Sequence, residues 1–325
     1  GSRLVRVNGV WDAAPSGGLL CVAGRFEPLY EERARVTQPI VRRNGVQVET
    51  SWDEALTLVA QKLKEGGAVG LTDAATSNEA LGAFAKLFAG LGGAAGRLGP
   101  AATELGFGQP ARIQDILEAD LIVVAGADPL AQQRVIGYLI NRAADQGAEV
   151  ALIGVKNSLL SDRAVLDVPN GGAAEVVERA AQASKPVVVY GAGLRPQVVR
   201  ALKALSEQAR FLALEPAANG RGAAAAGLNV LEPSKGRMLY LLLGERSDGA
   251  ALAGQANGAF TVVQAAYRSP LVEQADVVLP TPIWAERSGH VTNLEGQVLP
   301  LTAAVPMPAG VRDEADVLAV LAKMV

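Results

Sequence analysis

Leu121-Ile122-Val123-Val124-Ala125-Gly126-Ala127-Asp128-Pro129 is a five-residue apolar run that stops at a glycine and restarts at an acid followed by proline. The run is too uniformly apolar for a strand with one wet face and is bounded by turn residues, so it reads as a strand covered on both sides. Gly126 supplies the turn, Asp128 can cap, and Pro129 suits the first turn of a helix expected over about 130–145. The same unit recurs along the chain. Apolar runs at 149–153, 187–190, 211–214, 239–243, 260–263 and 277–279 alternate with amphipathic stretches at 173–183, 196–207 and 313–323. Continuous apolar strands separated by helices predict an α/β fold with parallel sheets covered on both faces.

Toward the N-terminus the pattern differs. Residues 3–10 and 40–48 alternate in the manner of strands, the second around the turn Asn44-Gly45, so the first fifty residues read as a small β region. Ser51-Trp52-Asp53-Glu54 has the form of a capping box, and Trp52, Ala55, Leu56, Val59, Ala60 and Leu63 then line one helical face. A second box, from Thr76 to Glu79, opens a helix buried through Leu81, Phe84, Leu87, Phe88 and Leu91. Residues 90–99 and 217–227, rich in glycine and alanine, read as the long loops.

Composition narrows the function. Of 325 residues, 50% are apolar and 19% charged, which excludes disorder. The net charge of −3 offers no basic stripe for nucleic acid. No apolar run approaches the ~18 residues of a membrane span, so no direct insertion is expected. One cysteine, Cys21, and one histidine, His290, cannot alone build a Cys/His zinc site, a complete iron–sulfur cluster or an internal disulfide. A reduced, cytoplasmic setting follows as an expectation.

Several motifs admit a functional and a plain reading. Val187-Val188-Val189-Tyr190-Gly191-Ala192-Gly193 runs a strand into G-x-G, and Glu215 ends the next strand, as in a dinucleotide fingerprint. Pro196 stands where a third glycine is wanted, so an ordinary β–α turn accounts for it as well. Amides after Gly126 could hold a phosphate, or Asp128 could simply cap. Arg221, in Asn219-Gly220-Arg221-Gly222, could grip a carboxylate or phosphate, or be a solvated loop cation. His290 lies in the polar run 285–296 and could be a base, or a hydrogen-bonded surface residue.

In this order the pieces resemble the molybdopterin oxidoreductase superfamily, its formate dehydrogenase group. Leu20-Cys21-Val22-Ala23-Gly24-Arg25-Phe26 is similar to the family's L-C-x-K-G-R-F, and Ser51-Trp52-Asp53-Glu54-Ala55-Leu56 matches S-W-D-E-A-L. Residues 118–129 match E-x-A-D-x-I-x-x-x-G-x-N-P, residues 274–280 match A-D-V-V-L-P, and residues 285–296 match A-E-x-x-G-T-x-T-N-x-E-G. The resemblance implies two doubly wound, mostly parallel α/β domains behind a small β-rich remnant of an iron–sulfur domain. Residues 3–50 would be that remnant, 51–103 with 184–325 a discontinuous domain, and 104–183 an inserted one. It implies a pterin cleft lined by Gly126, Asp128, Arg221, Glu286 and Asn293, and makes Cys21 the fourth ligand of a [4Fe–4S] cluster whose other cysteines lie upstream.

The departures from the family are as telling. Ala23 replaces a lysine, neither Cys nor Ser occurs between Asn78 and Asn157 to bind molybdenum, and D-P-R appears as Gly154-Val155-Lys156. The chain also stops near Val325, before the C-terminal β-barrel with which the family completes pterin binding. The branch that resembles such a chain is the large iron–sulfur subunit of NADH:quinone oxidoreductase (complex I), on the stretch Glu215 to Ala223. The resemblance then implies a non-catalytic scaffold that supports electron transfer from NADH to quinone through clusters mainly upstream, with no molybdopterin and no cofactor in these residues. Its partners would be other peripheral-arm subunits, and its place the inner face of a bacterial membrane. The rival readings are a reduced molybdopterin-guanine-dinucleotide oxidoreductase, and a nucleotide-binding module using Gly191, Gly193 and Glu215.

Overall fold

The computed structural model describes residues 4–12, 16–232, 236–247, 252 and 258–325. Two sheets organise them. The first has seven strands: β1 (Ile40–Arg43), β2 (Val46–Glu49), β3 (Ala68–Thr72), β4 (Ala94–Arg97), β10 (Met238–Leu242), β11 (Phe260–Ala265) and β12 (Val277–Pro280). Their order is β2-β1-β12-β11-β10-β3-β4, parallel except for the β1–β2 hairpin, which adds antiparallel to β12 through Ile40 opposite Val278. The second sheet has five parallel strands: β5 (Leu121–Ala125), β6 (Glu149–Ile153), β7 (Ala164–Val168), β8 (Pro186–Gly191) and β9 (Arg210–Leu214), in the order β7-β6-β5-β8-β9. A separate hairpin, β13 (Gly289–Thr292) and β14 (Val298–Leu301), completes the strands.

Strands β5, β8, β10 and β12 are buried throughout, and β6, β9 and β11 are buried except at their first residue, as continuous apolar runs between helices require. Helix α1 (Trp52–Lys64) buries the face expected of it, from Trp52 to Leu63, and Ser51 caps it by accepting from the Glu54 amide at 3.2 Å. The reciprocal arm is absent, because the Glu54 carboxylate is taken by Arg43 and the Thr50 hydroxyl. Helix α2 (Asn78–Gly90) is capped by Ser77, one residue later than expected, since the Thr76 hydroxyl turns away to donate to Glu314. The further helices of six residues or more among the described residues are α3 (Arg134–Asp145), α4 (Ala173–Gln182), α5 (Pro196–Lys203), α6 (Gly220–Ala225) and α7 (Glu314–Met324).

Other expectations shift. The helix expected over 130–145 is broken at Gln133, whose φ of −132° and ψ of 63° are not helical. Residues 90–99 contain β4 and residues 217–227 contain α6, because glycine and alanine suit close packing as well as loops. β7 has no counterpart among the expected strands, as Asp167 interrupts its apolar pattern. Residues 4–10 hold no strand, and Arg3 lies outside the described residues. Residues 40–49 are the rim of the seven-stranded sheet rather than a separate region, closed by the positive φ values of Asn44 (50°) and Gly45 (81°) that a two-residue hairpin turn requires.

The domain boundary at 184 also moves. β8 and β9, assigned to the discontinuous domain, hydrogen-bond into the five-stranded sheet, with Val187 opposite Ile122 and Val188 opposite Phe211. The second sheet therefore takes the chain to about Glu215, and only then does the chain return to the first. An apolar parallel strand carries no mark of which sheet it joins.

Candidate functional site

In an open α/β sheet a ligand crevice opens beyond the carboxyl ends of two neighbouring strands whose connections leave in opposite directions. The five-stranded sheet has that point between β5 and β8, at the turns Gly126-Ala127-Asp128 and Gly191-Ala192-Gly193. Both sequence-identified turns therefore lie side by side, and they fill the crevice with each other. Gly126 has φ +68°, and a Cβ there would meet Leu194 Cδ2 at 2.6 Å. A Cβ on Gly191 would fall 2.4 Å from that of Ala127 and 3.0 Å from the Gly126 carbonyl oxygen. These glycines serve the close approach of two protein turns.

The polar residues at this end are committed. Asp128 Oδ1 accepts from the Leu130 amide and from the Ser158 hydroxyl, each at 3.0 Å, and so caps. Glu215 Oε2 pairs with Arg97 Nη2 at 2.7 Å, while Oε1 accepts from the Thr103 amide (2.6 Å) and hydroxyl (2.7 Å). Burial alone would raise the pKa of Glu215. The Thr103 hydrogen bonds and the Arg97 guanidinium outweigh burial and hold it below the usual carboxylate range. Arg97 ends β4 of the other sheet, so this pair, with both side chains 1% exposed, joins the two halves. No oxygen of Glu215 remains for a ribose.

The seven-stranded sheet has its switch point between β3 and β10. Here the chain supplies its own anion. Asp73, directly after β3, accepts from the Gly244 amide with both oxygens at 3.0 Å and from the Ala75 amide at 3.1 Å. Burial pushes its pKa up to about 6 despite these bonds. Beside it Arg287 donates to Glu314 at 2.6 Å, with both side chains almost fully buried, and to the Pro282 carbonyl. Glu286 accepts from Arg35 at 2.5 Å and from the Ile283 amide at 3.0 Å.

The β13–β14 hairpin bridges the halves. His290 Nδ1 lies 2.6 Å from Glu79 Oε1, and the His290 amide donates to Oε2, which fixes the hairpin to α2. The neighbouring Ser77 hydroxyl caps α2 by accepting from the Ala80 amide at 3.1 Å, and the His290 ring is bonded to Glu79 rather than to Ser77. Asn219 donates to the Thr76 carbonyl and to Asn78, and accepts from the Thr292 amide at 2.9 Å. Sequence reasoning passed over this Asn78–Asn219–Thr292 network, although Asn219 stood inside a matched motif. Asn293 folds the hairpin's own turn, accepting from the amides of Glu295 and Gln297, and Glu295 reaches across to the Ile113 amide at 2.6 Å.

Five residues were expected to line one cleft. Gly126 and Asp128 share the β5 turn, Glu286 follows β12 of the other sheet, and Asn293 closes the hairpin; no hydrogen bond joins any two of the five. Arg221 alone is uncommitted: its Nε is buried without a hydrogen-bond partner among the described residues. A pterin dinucleotide needs such groups free, and four of the five are spent on protein, so the residues do not fit it. A [4Fe–4S] cluster needs four thiolates. Cys21 can give one, and its Sγ accepts from the Gly24 amide at 3.5 Å, capping the short helix Val22–Arg25. Among the described residues no group of three or more His, Cys, Asp or Glu is placed to hold a metal ion, and no helix is long and apolar enough to cross a membrane.

Comparison with known proteins fits this architecture. The molybdopterin oxidoreductase family profile matches residues 35–324. NADH-quinone oxidoreductase subunit 3 of Thermus thermophilus is 31% identical over 386 aligned positions, covering 98% of this chain and 46% of that protein. An NADH-quinone oxidoreductase subunit of Rhizobium meliloti is 37% identical over 89 residues, 26% of this chain and 10% of that one. The chain thus spans less than half the length of these relatives. Among solved structures, a chain of the formyltransferase/hydrolase complex (FhcABCD) of Methylorubrum extorquens superposes with a TM-score of 0.65 at 16% identity, covering 88% of this chain and 98% of that chain, a likeness of fold. With the profile spanning nearly its whole length and two switch-point sheets of the matching kind, this chain belongs to the molybdopterin oxidoreductase family.

Proposed function

We propose that this chain is a non-catalytic scaffold region of a complex I-type NADH:quinone oxidoreductase subunit, supporting electron transfer by clusters held outside these residues. One observation carries the reading: both switch-point crevices are closed by the protein's own atoms, one by apposed glycine turns and one by the Asp73 carboxylate on the Gly244 amide. The similarity to subunit 3 of the Thermus enzyme supports it. On this reading residues 4–39 are the edge of an iron–sulfur domain, Cys21 is the fourth ligand of a [4Fe–4S] cluster, the partners are other peripheral-arm subunits, and the protein sits on the inner face of the membrane. The rival nucleotide-binding reading loses its acidic residue, because Glu215 is held by Arg97 and Thr103.

The test is elemental analysis of the full-length protein purified from its host, with absorbance spectra. Iron at cluster stoichiometry without molybdenum or tungsten is the expected result. Molybdenum or tungsten with a pterin chromophore overturns the reading. A thermal shift with NADH, by binding linkage, would point instead to the nucleotide module.

A further inference from the structure

The seven-stranded sheet buries two polar side chains near its carboxyl end that the fold leaves unsatisfied. Gln264, in β11, is 0% exposed, and Thr281, directly after β12, is 1% exposed. β11 and β12 run parallel, with Gln264 opposite Leu279. The Thr281 amide donates to the Ala265 carbonyl at 3.3 Å, so the ladder and its alternation continue past Pro280. Gln264 therefore shares the face of Val262, and Thr281 that of Val277 and Leu279, the face that packs with Tyr240, Leu242 and Val317. The two stand on adjacent strands, two residues apart in register, inside an apolar cluster.

Their hydrogen-bonding capacity is unmet. Gln264 Oε1 accepts from the Tyr240 hydroxyl at 2.9 Å, deep in the core. Gln264 Nε2, with two N–H donors, and Thr281 Oγ1 have no hydrogen-bond partner among the described residues, each other included. Turning the amide over does not help: Tyr240 would then accept from Nε2, and Oε1 would be orphaned in its place. Burying such groups dry is costly, and native interiors meet nearly all of them with protein or with ordered water.

We propose that one water molecule is built into this core, accepting from Gln264 Nε2 and hydrogen-bonded to Thr281 Oγ1. The chemistry selects water. The occupant must accept from an amide, bond a hydroxyl, and be small enough for an interior of buried neighbours. A cation would need carboxylates or several oxygen ligands, and among the described residues no group of three or more His, Cys, Asp or Glu is placed to hold one. Tyr240, Gln264, the water and Thr281 then tie β10, β11 and β12 together across the sheet. From the ends of these strands depart the Gly244 turn that holds Asp73 and the segment bearing Arg287, so the bridge stiffens the wall of the closed crevice.

The experiment is a crystal structure of the chain, with melting temperatures for Thr281→Val, Gln264→Leu and the double variant. Density for a single water within about 3.2 Å of both Gln264 Nε2 and Thr281 Oγ1 is expected. Thr281→Val keeps the shape and removes the hydroxyl, which gives the test its sign. A bonded hydroxyl makes the variant melt about 2 °C lower, whereas a bare one makes it melt higher, because an unpaired buried group has been removed. Gln264→Leu also strands the Tyr240 hydroxyl, so it is read only through the cycle: the loss from Thr281→Val should shrink in the Gln264→Leu background. If Gln264→Leu does not fold, the density and Thr281→Val decide alone. An interior with no such density, a direct bond from either atom to protein, a higher melting temperature for Thr281→Val, or additive losses overturns the proposal. None of these outcomes depends on whether the protein holds molybdenum.

Discussion

Replacing Arg97 by methionine tests how the two halves are joined. Arg97 leaves β4 of the seven-stranded sheet and meets Glu215 at the end of β9 in the other, at 2.7 Å, with both side chains 1% exposed. It also donates to the carbonyls of Gly220 (3.2 Å) and Pro100 (3.1 Å). Removing one member of a buried pair costs about 3–5 kcal/mol, because the other charge stays desolvated. Two features favour the lower end: Glu215 keeps both Thr103 hydrogen bonds, and the wild type already carries an Arg97 Nε with no hydrogen-bond partner among the described residues. A loss of about 3 kcal/mol at pH 7 is expected. Adding Glu215→Gln removes the orphaned charge and should restore about 1–2 kcal/mol, a coupling usual for residues in contact. The pH sign follows from Glu215. Its pKa is lowered on folding, so the pair stabilises above the ordinary glutamate range and is lost as pH falls through the folded value. The deficit of Arg97→Met is therefore widest at neutral pH and narrows in acid. Urea unfolding followed by tryptophan emission and by far-ultraviolet circular dichroism measures it. The three tryptophans, at 11, 52 and 284, all lie outside the five-stranded sheet, whereas dichroism reports both sheets. The two probes should coincide in the wild type and separate in the variant. A loss under about 1 kcal/mol with coincident transitions would refute the claim that this pair couples the halves.

Three further outcomes are expected. Asp73 is raised from 3.8 to about 6, so the folded chain binds its proton more tightly; its own contribution to stability is fully present below about pH 4 and falls by up to about 3 kcal/mol as pH rises through about 6. Asp73→Asn should flatten that slope in urea midpoints taken from pH 4 to 7, and an unchanged slope would assign it elsewhere. Gly191→Ala forces a Cβ to 2.4 Å from that of Ala127 and should cost about 1–3 kcal/mol; a loss below about 0.5 kcal/mol would mean the two turns stand apart and the crevice is open. Gly70→Ala drives a Cβ to within 2.6 Å of Phe88 and 2.7 Å of Phe84, so thermal unfolding should show a loss of about 1–3 kcal/mol, and a neutral result would show that the ring pair can shift.

The sequence by itself determined the fold class, the family and most strands of the parallel sheets, but neither β4 nor β7. Those features rest on local pattern: continuous apolar runs such as 121–125, helical faces such as that of α1, and motifs whose order along the chain is specific. It also determined which chemistry was out of reach, since one cysteine and one histidine bound what the chain alone can ligate. Only the tertiary structure decided which sheet each strand joins. Val187-Val188-Val189 would suit either, and it pairs in parallel with Ile122-Val123-Val124 of β5. Only the tertiary structure decided the fate of the polar residues. Glu215 looked like a ribose ligand and Asp128 like a phosphate turn, until Arg97 and Thr103, over a hundred positions before Glu215, and Ser158, thirty after Asp128, took their oxygens. A carboxylate's role depends on which donors reach it in a low-dielectric interior, and those donors come from strands far apart in sequence.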